Sequence, residues 1–435
     1  MLQTSIISFS SIKTNLRFDA EFYRPDFIEV EKIMSAIPSI KLGKVLTDIK
    51  ASAFYGSISF SYRRDKGIPF VRVSDIEEPF LNMKNILYLP SDIVEKEKGL
   101  STITNDYLLI SKGGTIGNLC FIPEEIKKVI ISRDIIGIKV NEAKVNKFFI
   151  LGFLMSRYGK FQLLRGISRQ TLPHLTLNII KEAFVYLIDN DLQLQVERLV
   201  KQAYEKRKLA DQKYQQAEEK LYKLLGIDKK EIEKLEAEKT YETNFKEVSQ
   251  AFRFDAEYYH PKYLGIIELL KKVPFEVKPL KEVIKISNEK IDPTKEPYKT
   301  KRYKYVSIAK INESGEIFEW EEFYGWQAPS RARMLIRNND ILIPSLAGTF
   351  DKIALVPAEL DGQLASTGCF VIRSKEDYPE FLFLLFRTPL FKRQLEQLTT
   401  GAIMSAVPKT TFDSLLVPVI PKDKQEEIVS LIKDY

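Results

Sequence analysis

Arg17-Phe18-Asp19-Ala20-Glu21-Phe22-Tyr23-Arg24-Pro25-Asp26-Phe27 returns later in the chain as Arg253-Phe254-Asp255-Ala256-Glu257-Tyr258-Tyr259-His260-Pro261-Lys262-Tyr263. Seven of the eleven residues in this opening motif are identical. Further matches follow in the same order at separations of 234 to 236 residues, which two unrelated short segments would not produce. The chain is therefore predicted to contain two similar globular units in tandem.

The later matches extend through both units. Residues 70–76 fall on residues 305–311 and keep the apolar alternation of a half-buried strand, and residues 111–115 fall on 345–349 as a glycine-containing turn. Two further pairs match near the end of each unit, Gly166 with Gly401 and Pro173 with Pro408. Apolar positions repeat while polar positions change, which is typical of two recognition domains that present one scaffold to different targets.

The composition is that of a globular protein. The 435 residues are 44% hydrophobic and 11% aromatic, enough for two or three domains with real cores. No run of eighteen apolar residues and no signal peptide is visible, so we expect a cytoplasmic protein without a membrane span. The net charge of +7 falls in residues 1–185, which is compatible with nucleic acid binding but does not require it. Cys120 and Cys369 have apolar neighbours and are predicted core residues.

Each unit is predicted to be α+β. It opens with an amphipathic helix, over residues 18–37 or 254–270, with Pro25 or Pro261 in a kink or near the helix start. An apolar helix follows later, over residues 148–164 or 381–398. Short alternating segments between them predict strands of a mixed sheet at residues 86–89, 107–110, 130–140, 341–343 and 353–356.

The segment between the units has a coiled-coil register that ends at Gly226. Its apolar positions, with one charged interruption, are Val196, Val200, Ala203, Arg207, Ala210, Tyr214, Ala217, Leu221 and Leu224. The pattern predicts a projecting helix of roughly 45–50 Å at about 1.5 Å per residue, although an amphipathic helix lying on a globular surface stays an alternative. The predicted parts are a first recognition domain at 1–185, a helical spacer at 186–239, a second recognition domain at 240–420 and a short C-terminal helix at 421–435.

These features together resemble the specificity (S) subunit of type I restriction-modification enzymes. The supporting residues are 67–76, 109–117 and the two opening motifs. The resemblance implies two mixed α/β target recognition domains in tandem, joined by a long coiled-coil helix with pseudo-two-fold symmetry. It implies a non-catalytic subunit without a cofactor, which recognises an asymmetric bipartite DNA site, one half per domain.

The resemblance also implies partners: double-stranded DNA, methyltransferase (M) subunits and, through them, a restriction and translocase (R) subunit. The chain departs from the family pattern at its end, because only residues 424–435 are available for a closing helix. The first long helix is then expected to lack a full-length partner. Three explanations stay open: a natural short form, missing length supplied by another subunit, or an antiparallel pairing that does not apply here.

Motifs of common enzymes are absent from the sequence. Gly117 is followed by Asn118, so the glycine-rich segment has no P-loop lysine. No Asn/Asp-Pro-Pro-aromatic motif resembling that of amino-methyltransferases occurs. His174 and His260 have no cysteine or histidine at metal-ligand spacing. Two alternatives stay open: a restriction or modification enzyme with an unrecognised catalytic site, and a two-headed protein-binding scaffold.

Basic and polar residues recur in the predicted loops of both units, where guanidinium and ammonium groups can bind phosphates or guanine edges. The predicted DNA-binding residues are Arg63, Arg64, Lys66, Arg72, Lys112, Thr115, Asn118, Arg165, Ser168, Arg169 and Gln170 in the first unit and Lys301, Arg302, Lys304, Arg331, Arg333, Thr349, Lys352, Thr400 and Lys409 in the second. Solvated basic faces and plain structural turns are the alternatives. The aromatic residues of the opening motifs are either core residues or a docking surface for partners, and Trp320, Tyr324 and Trp326 are favoured as core or partner surface.

Overall fold

The computed structural model describes residues 4–53, 55–56, 58–63, 66–167, 173–238, 240–399 and 405–433. The chain divides into two compact units, Met1–Arg207 and Lys208–Tyr435. The division falls inside one long helix, Asn190–Leu225, so each unit includes part of it.

Helices are labelled in chain order. In the first unit they are α1 (Phe9–Asn15), α2 (Pro25–Ala36), α3 (Ser91–Lys96), α4 (Lys147–Met155), α5 (Arg157–Gly166), α6 (Leu177–Glu182) and the start of α7 (Asn190–Leu225). The second unit contains the rest of α7, then α8 (Lys229–Ala237), α9 (Phe245–Ala251), α10 (Pro261–Lys272), α11 (Leu280–Val283), α12 (Pro379–Arg387), α13 (Pro389–Gln397), α14 (Lys409–Phe412) and α15 (Lys422–Ile432).

Strands are labelled in the same way. The first unit contains β1 (Ser39–Lys41), β2 (Leu46–Ala51), β3 (Ile68–Val71), β4 (Ile76–Glu77), β5 (Phe80–Leu81), β6 (Leu87–Leu89), β7 (Ser101–Thr104), β8 (Tyr107–Ser111), β9 (Leu119–Phe121), β10 (Lys128–Ile131), β11 (Ile135–Val140) and β12 (Phe184–Tyr186). The second contains β13 (Val277–Pro279), β14 (Ile284–Ser287), β15 (Arg302–Val306), β16 (Glu321–Tyr324), β17 (Ala332–Ile336), β18 (Ile341–Pro344), β19 (Ala354–Leu355), β20 (Gln363–Ser366), β21 (Cys369–Ser374) and β22 (Leu416–Pro418).

Three sheets of each unit share one topology, and the first unit has a further two-stranded sheet, β4-β5. The first has sheets in the orders β2-β11-β8-β9 and β6-β3-β10-β7 and a pair β1-β12, and the second has β14-β21-β18-β19, β16-β15-β20-β17 and β13-β22. The β3–β10 and β15–β20 pairings are parallel, whereas their neighbours in the same sheets are antiparallel. The tandem α+β repeat predicted from the sequence is confirmed.

The opening motif folds as a turn before the first long helix of each unit. Arg17 Nε donates to Asp19 Oδ2 at 2.6 Å, and the Tyr23 hydroxyl donates to the Arg17 carbonyl oxygen at 3.0 Å. The second unit repeats these contacts with Arg253, Asp255 and Tyr259. The identical residues of the motif are therefore largely those that fix this turn.

Pro25 and Pro261 are the first residues of α2 and α10, as expected for a helix start. The helices do not extend back over the opening motif as their spacing had indicated. Phe18 and Phe254 precede the helices and are 85% and 81% exposed. Most other aromatic residues of the motifs are core residues, and the buried ones are Tyr23, Phe27, Tyr259 and Tyr263.

Three predicted elements are each divided in two. The strand predicted over residues 130–140 is β10 and β11, which belong to different sheets. The predicted helix over 148–164 breaks at Ser156, whose hydroxyl accepts from the Gly159 N–H, and the one over 381–398 breaks before Pro389. A capping serine and a proline at the first helical position each begin a new helix.

The long helix α7 is confirmed, and it ends before Gly226, which has a positive φ of 68°. Val196, Val200 and Tyr204 of its coiled-coil segment pack against the core of the first unit. Ala217 and Leu221 are buried in the core of the second unit. The apolar positions at both ends of the helix therefore contact globular cores.

Cys120 and Cys369 are buried, as predicted. Burial raises the pKa of the Cys369 thiol to about 12, so it stays protonated and unreactive at neutral pH. Among the described residues, no helix combines the length and apolar character needed to cross a membrane.

Candidate functional site

A cleft opens at the same place in each unit. It lies beside the C-terminal ends of β2 and β8 in the first unit and of β14 and β18 in the second. The first cleft has a volume of about 940 Å³ and is lined by Ala51, Ser52, Ala53, Lys112, Gly113, Gly114, Arg133, Asp134, Ile136, His174, Leu175, Thr176 and Leu177. The second cleft, of about 230 Å³, is lined by Ile286, Ser287, Asn288, Lys290, Met334, Ser345, Thr367, Cys369, Phe370, Val407 and Lys409.

Backbone hydrogen bonds build both clefts in the same way. In the first, the Lys112 N–H donates to the Asp134 carbonyl oxygen at 2.8 Å, and the Leu175 N–H donates to the Lys112 carbonyl oxygen at 3.0 Å. In the second, Ser345 takes the place of Lys112. Its N–H donates to the Gly368 carbonyl oxygen at 2.8 Å, and the Val407 N–H donates to the Ser345 carbonyl oxygen at 2.9 Å. Three loop segments meet at one residue in each unit.

These bonds correct the sequence alignment of the two units. Ser345 occupies the position of Lys112 and not of Ser111, because the connection from Ile341 to its partner Leu355 is one residue longer than that from Leu108 to Phe121. Pro408 corresponds to Thr176 and not to Pro173, since Val407 corresponds to Leu175. Loop lengths differ between the units, so matching residue types misaligned the loops.

The first cleft combines charges of both signs. The Arg133 and Asp134 side chains are 66% and 39% exposed, and their nearest charged atoms lie 3.9 Å apart. A Cβ on Gly113 would lie 2.8 Å from Asp134 Oδ1 and 3.2 Å from His174 Cε1, so glycine allows the turn to approach both side chains. Together with Lys112, this cleft offers donors suited to phosphates or guanine and an acceptor suited to cytosine.

The second cleft presents other groups on the same backbone. Thr367 occupies the position of Arg133, and Ser345 that of Lys112. Lys409 Nζ donates to Asn288 Oδ1, so an amide and an ammonium group lie side by side. Asparagine is suited to adenine, which has one donor and one acceptor on its major-groove edge. The two clefts therefore differ in hydrogen-bonding chemistry.

Of the residues predicted from the sequence, Lys112 and Lys409 line the clefts. Thr115 lies exposed in the turn beside the first cleft, and Lys352 lies in the equivalent turn of the second unit. The Thr349 hydroxyl donates to the Leu346 carbonyl oxygen at 2.7 Å within that turn. Five predicted residues lie outside the described residues: Arg64, Ser168, Arg169, Gln170 and Thr400.

Three predicted residues form hydrogen bonds or ion pairs with other side chains of the first unit. Arg72 forms two hydrogen bonds with the buried Asp75 carboxylate, which raise the pKa of Arg72. Arg165 is 11% exposed and lies 2.7 Å from Glu31. Asn118 accepts a hydrogen bond from Lys160. These contacts engage part of each polar group, and Arg72, Arg165 and Asn118 stay predicted DNA-binding residues.

The other predicted basic residues lie on exposed or half-buried surfaces. Arg63 and Lys66 are exposed in the first unit. In the second unit, Lys304 Nζ lies 4.4 Å from the Trp320 ring centroid, and Arg302 pairs with Glu322 at 2.6 Å. Lys301 and Arg331 are exposed, whereas Arg333 is half-buried and lies 3.5 Å from Asp292. Trp320 packs against the core, whereas Tyr324 and Trp326 are 50% and 59% exposed.

Sequence reasoning missed Arg133, Asp134, Asn288 and Lys290 as cleft residues. Arg133 and Asp134 lie inside the segment interpreted as one continuous strand, so no loop was expected there. The Ser132-Arg133-Asp134 step between two apolar runs is the signal that marks the break. Asn288 and Lys290 follow β14 directly, at the end of a strand that ends beside the cleft.

An exposed apolar surface, here called the opening patch, accompanies each opening motif. In the first unit it comprises Phe9, Leu16 and Phe18, which are 68%, 78% and 85% exposed. In the second unit the corresponding residues are Phe245, Phe252 and Phe254, at 80%, 86% and 81%. The adjoining helices α1 and α9 contain no buried residue. Repeated exposed apolar residues are typical of a protein interaction site.

Within the part of the chain that the structure describes, no three His, Cys, Asp or Glu side chains are grouped so that they could hold a metal ion. His260 accepts from the Lys262 N–H through Nδ1 at 3.1 Å and caps α10.

Comparisons with known proteins find a family match within the second unit. Residues 272–435 match the family model described as type I restriction modification DNA specificity domain. A chain from a study of complex assembly and conformational transition of the type I R-M system is 35% identical, with a TM-score of 0.33, over 36% of this chain and 41% of that one. The HsdS subunit from Thermoanaerobacter tengcongensis is 36% identical, with a TM-score of 0.34, over 37% and 41%.

The type I restriction-modification S subunit from M. genitalium is 13% identical, with a TM-score of 0.37, over 91% of this chain and 89% of that one. The matches at 35% and 36% identity thus span 41% of the length of those relatives. No curated protein matches the chain.

Proposed function

We propose that this chain, whose residues 272–435 match the type I restriction modification DNA specificity domain, is the DNA sequence-specificity subunit of such a system. Each unit would recognise one half of an asymmetric bipartite site. The observation that supports this most is the pair of clefts, which share one backbone framework and present different side chains.

The cleft chemistry supports two different half-sites. Lys112 and Arg133 would donate to phosphates or to guanine O6 and N7 in the first cleft, with Asp134 as an acceptor. Asn288 with Lys409 would contact adenine or a phosphate in the second. Arg63 and Lys66 in the first unit, and Lys301, Arg302 and Arg331 in the second, would add phosphate contacts, which position a protein on DNA without specifying sequence.

The chain would act with partners and without catalysis of its own. Methyltransferase subunits, and through them a restriction and translocase subunit, would supply the chemistry on DNA, and the complex would operate in the cytoplasm. The opening patches suit such recruitment because they recur at equivalent positions, so that two copies of one partner would find the same apolar surface.

The test is a map of methylated adenines in the source organism with and without this gene. Loss of methylation at a split motif, together with a change in only one half when residues 1–185 are exchanged for another recognition domain, would support the proposal. A purified chain that cut or methylated DNA alone would favour the enzyme alternative.

A binding measurement separates the proposal from a protein-binding scaffold. Phosphate contacts release counterions, so the affinity of the purified chain for duplex DNA should fall steeply as salt rises. An affinity for DNA that is undetectable at low salt, with intact folding, would favour the scaffold.

A further inference from the structure

The two units differ in how one helical face is covered. Helices α2 and α5 of the first unit correspond to α10 and α13 of the second, and each pair packs together. The Gln162 side chain makes two hydrogen bonds with the backbone of Phe184, and Gln394 makes the same two with Leu416. Residue positions on these helices can therefore be compared directly.

In the second unit, the end of α7 and helix α8 cover this face. A Cβ on Gly265 of α10 would lie 2.5 Å from Leu235 Cδ1, so Leu235 sits directly on the glycine. Glu236 pairs with Arg393 of α13. Leu269 and Leu390 are 7% and 1% exposed, in one buried cluster with residues that include Leu221, Leu225 and Ile232.

In the first unit the same positions are open. Ile33, the counterpart of Leu269, is 37% exposed, and Tyr158, the counterpart of Leu390, is 43% exposed. Glu29 stands where the second unit has Gly265, and it pairs with Arg157 at the edge of this surface. We call Glu29, Ile33, Arg157 and Tyr158 the α2–α5 face.

We infer that the α2–α5 face is a docking site for an amphipathic helix supplied by a separate polypeptide, of the type seen in residues 208–238. The second unit shows the occupant that this pair of helices accepts: a leucine and isoleucine stripe flanked by an ion pair. A second copy of this chain is a poor source, because its residues 208–238 cover its own second unit.

The charges on the face define the occupant further. If the incoming helix carried a leucine at the position of Leu235, that leucine would meet the Glu29 side chain, where the second unit has Gly265. A helix that fits closely therefore needs a small or basic residue at this position. Glu29 and Arg157, which are 56% and 50% exposed, remain available to charged groups on the incoming helix. The occupant is therefore similar to residues 208–238 but has a different residue opposite Glu29.

A labelled peptide of residues 208–238 is the probe, added to the full chain and followed by fluorescence anisotropy. We expect saturable binding that Glu29→Gly strengthens about tenfold, because it recreates the glycine on which Leu235 sits. Tyr158→Glu should weaken binding at least about tenfold, because it places a charge at the centre of the apolar face. Leu199→Glu, at a position on α7 that is 66% exposed, is the matched control and should change nothing.

Failure to bind either the natural chain or the Glu29→Gly variant would overturn the inference. Binding that Tyr158→Glu leaves unchanged would do the same, since the peptide would then sit elsewhere. Circular dichroism of each variant checks that these exposed substitutions preserve the fold. The experiment contains no DNA, so its outcome is independent of the proposed sequence recognition.

Discussion

The two units contain the same ten-strand arrangement of sheets, yet at their clefts one presents Lys112, Arg133 and Asp134 and the other presents Ser345, Thr367 and Gly368. The shared features are backbone ladders, helix caps and buried glutamines. Gln193 in α7 and Gln425 in α15, for example, each accept one N–H and donate to the carbonyl oxygen five residues earlier. Interior hydrogen bonds therefore preserve the scaffold, while cleft side chains are free to change.

The largest expected difference between the units is in the loss of stability when one charged residue on a strand is replaced. Arg373 on β21 pairs with Asp340, whose side chain is 2% exposed, and with Glu289. The same position on β11 is Lys139, which pairs with Asp106 at 2.6 Å in a contact where both side chains are about 40% exposed. Arg373→Met should lower the free energy of unfolding of the second unit by about 3–5 kcal/mol, because it leaves a buried carboxylate unpaired.

Lys139→Met should destabilise the first unit far less than Arg373→Met destabilises the second, because the Lys139–Asp106 pair lies near solvent. Both tryptophans, Trp320 and Trp326, belong to the second unit, so their fluorescence during urea unfolding reports on that unit. Hydrogen exchange of β11 reports on the first. If the two substitutions lowered the stability of their units equally, the burial of Asp340 would not be the cause of the loss in the second unit.

The Arg373 variant should also depend on pH. Burial raises the pKa of Asp340, although hydrogen bonds from Arg373 oppose the rise. Since the folded-state pKa lies above the unfolded value, protonation favours folding, and stability decreases as pH rises through the raised pKa. The destabilisation by Arg373→Met should therefore shrink as the pH falls toward the usual aspartate value of about 4, measured by the same urea titrations. A pH-independent destabilisation would contradict this account.

The next largest effects are expected from substitutions in the clefts, which test whether the two units recognise different half-sites in DNA. Lys112→Ala with Arg133→Ala should weaken DNA binding or relax one half of the recognised motif, and Asn288→Ala with Lys409→Ala should affect only the other half. Each lost base contact should cost about 1–3 kcal/mol. Arg198→Ala on α7 is the control, and binding to motif variants is the measurement. Equal effects of both pairs on the same half-site would reject the assignment of one half per unit.

The smallest predicted effects come from substitutions in the opening patches, which are similar in the two units. Phe18→Ser and Phe254→Ser should each reduce affinity for a methyltransferase partner by about 1–2 kcal/mol, while changing unfolding stability within about 0.5 kcal/mol because both side chains are exposed. Calorimetric titration of each single variant and of the double variant measures this. Unchanged affinity in the double variant would remove the opening patches from the partner surface.

Much of the architecture was predictable from the sequence. Identical residues in the opening motifs predicted the tandem units, and Pro25 and Pro261 indicated either a kink or a helix start, of which the structure has the helix start. The cleft residues were harder to predict. Lys112 was found because it lies in a glycine turn, but Arg133 was hidden inside an apparent strand, since periodicity does not show where a strand leaves one sheet for another.

The repeat, the α+β class, the long helix and the buried cysteines could all be predicted from the amino-acid sequence, because they follow from local periodicity and from matched residue types. The partners of the basic side chains became visible only in the folded chain. Arg165, which stays a predicted DNA-binding residue, has Glu31 and Phe22 against its guanidinium group in the fold. Partners of this kind lie more than a hundred residues away in the chain, and no local pattern encodes their proximity.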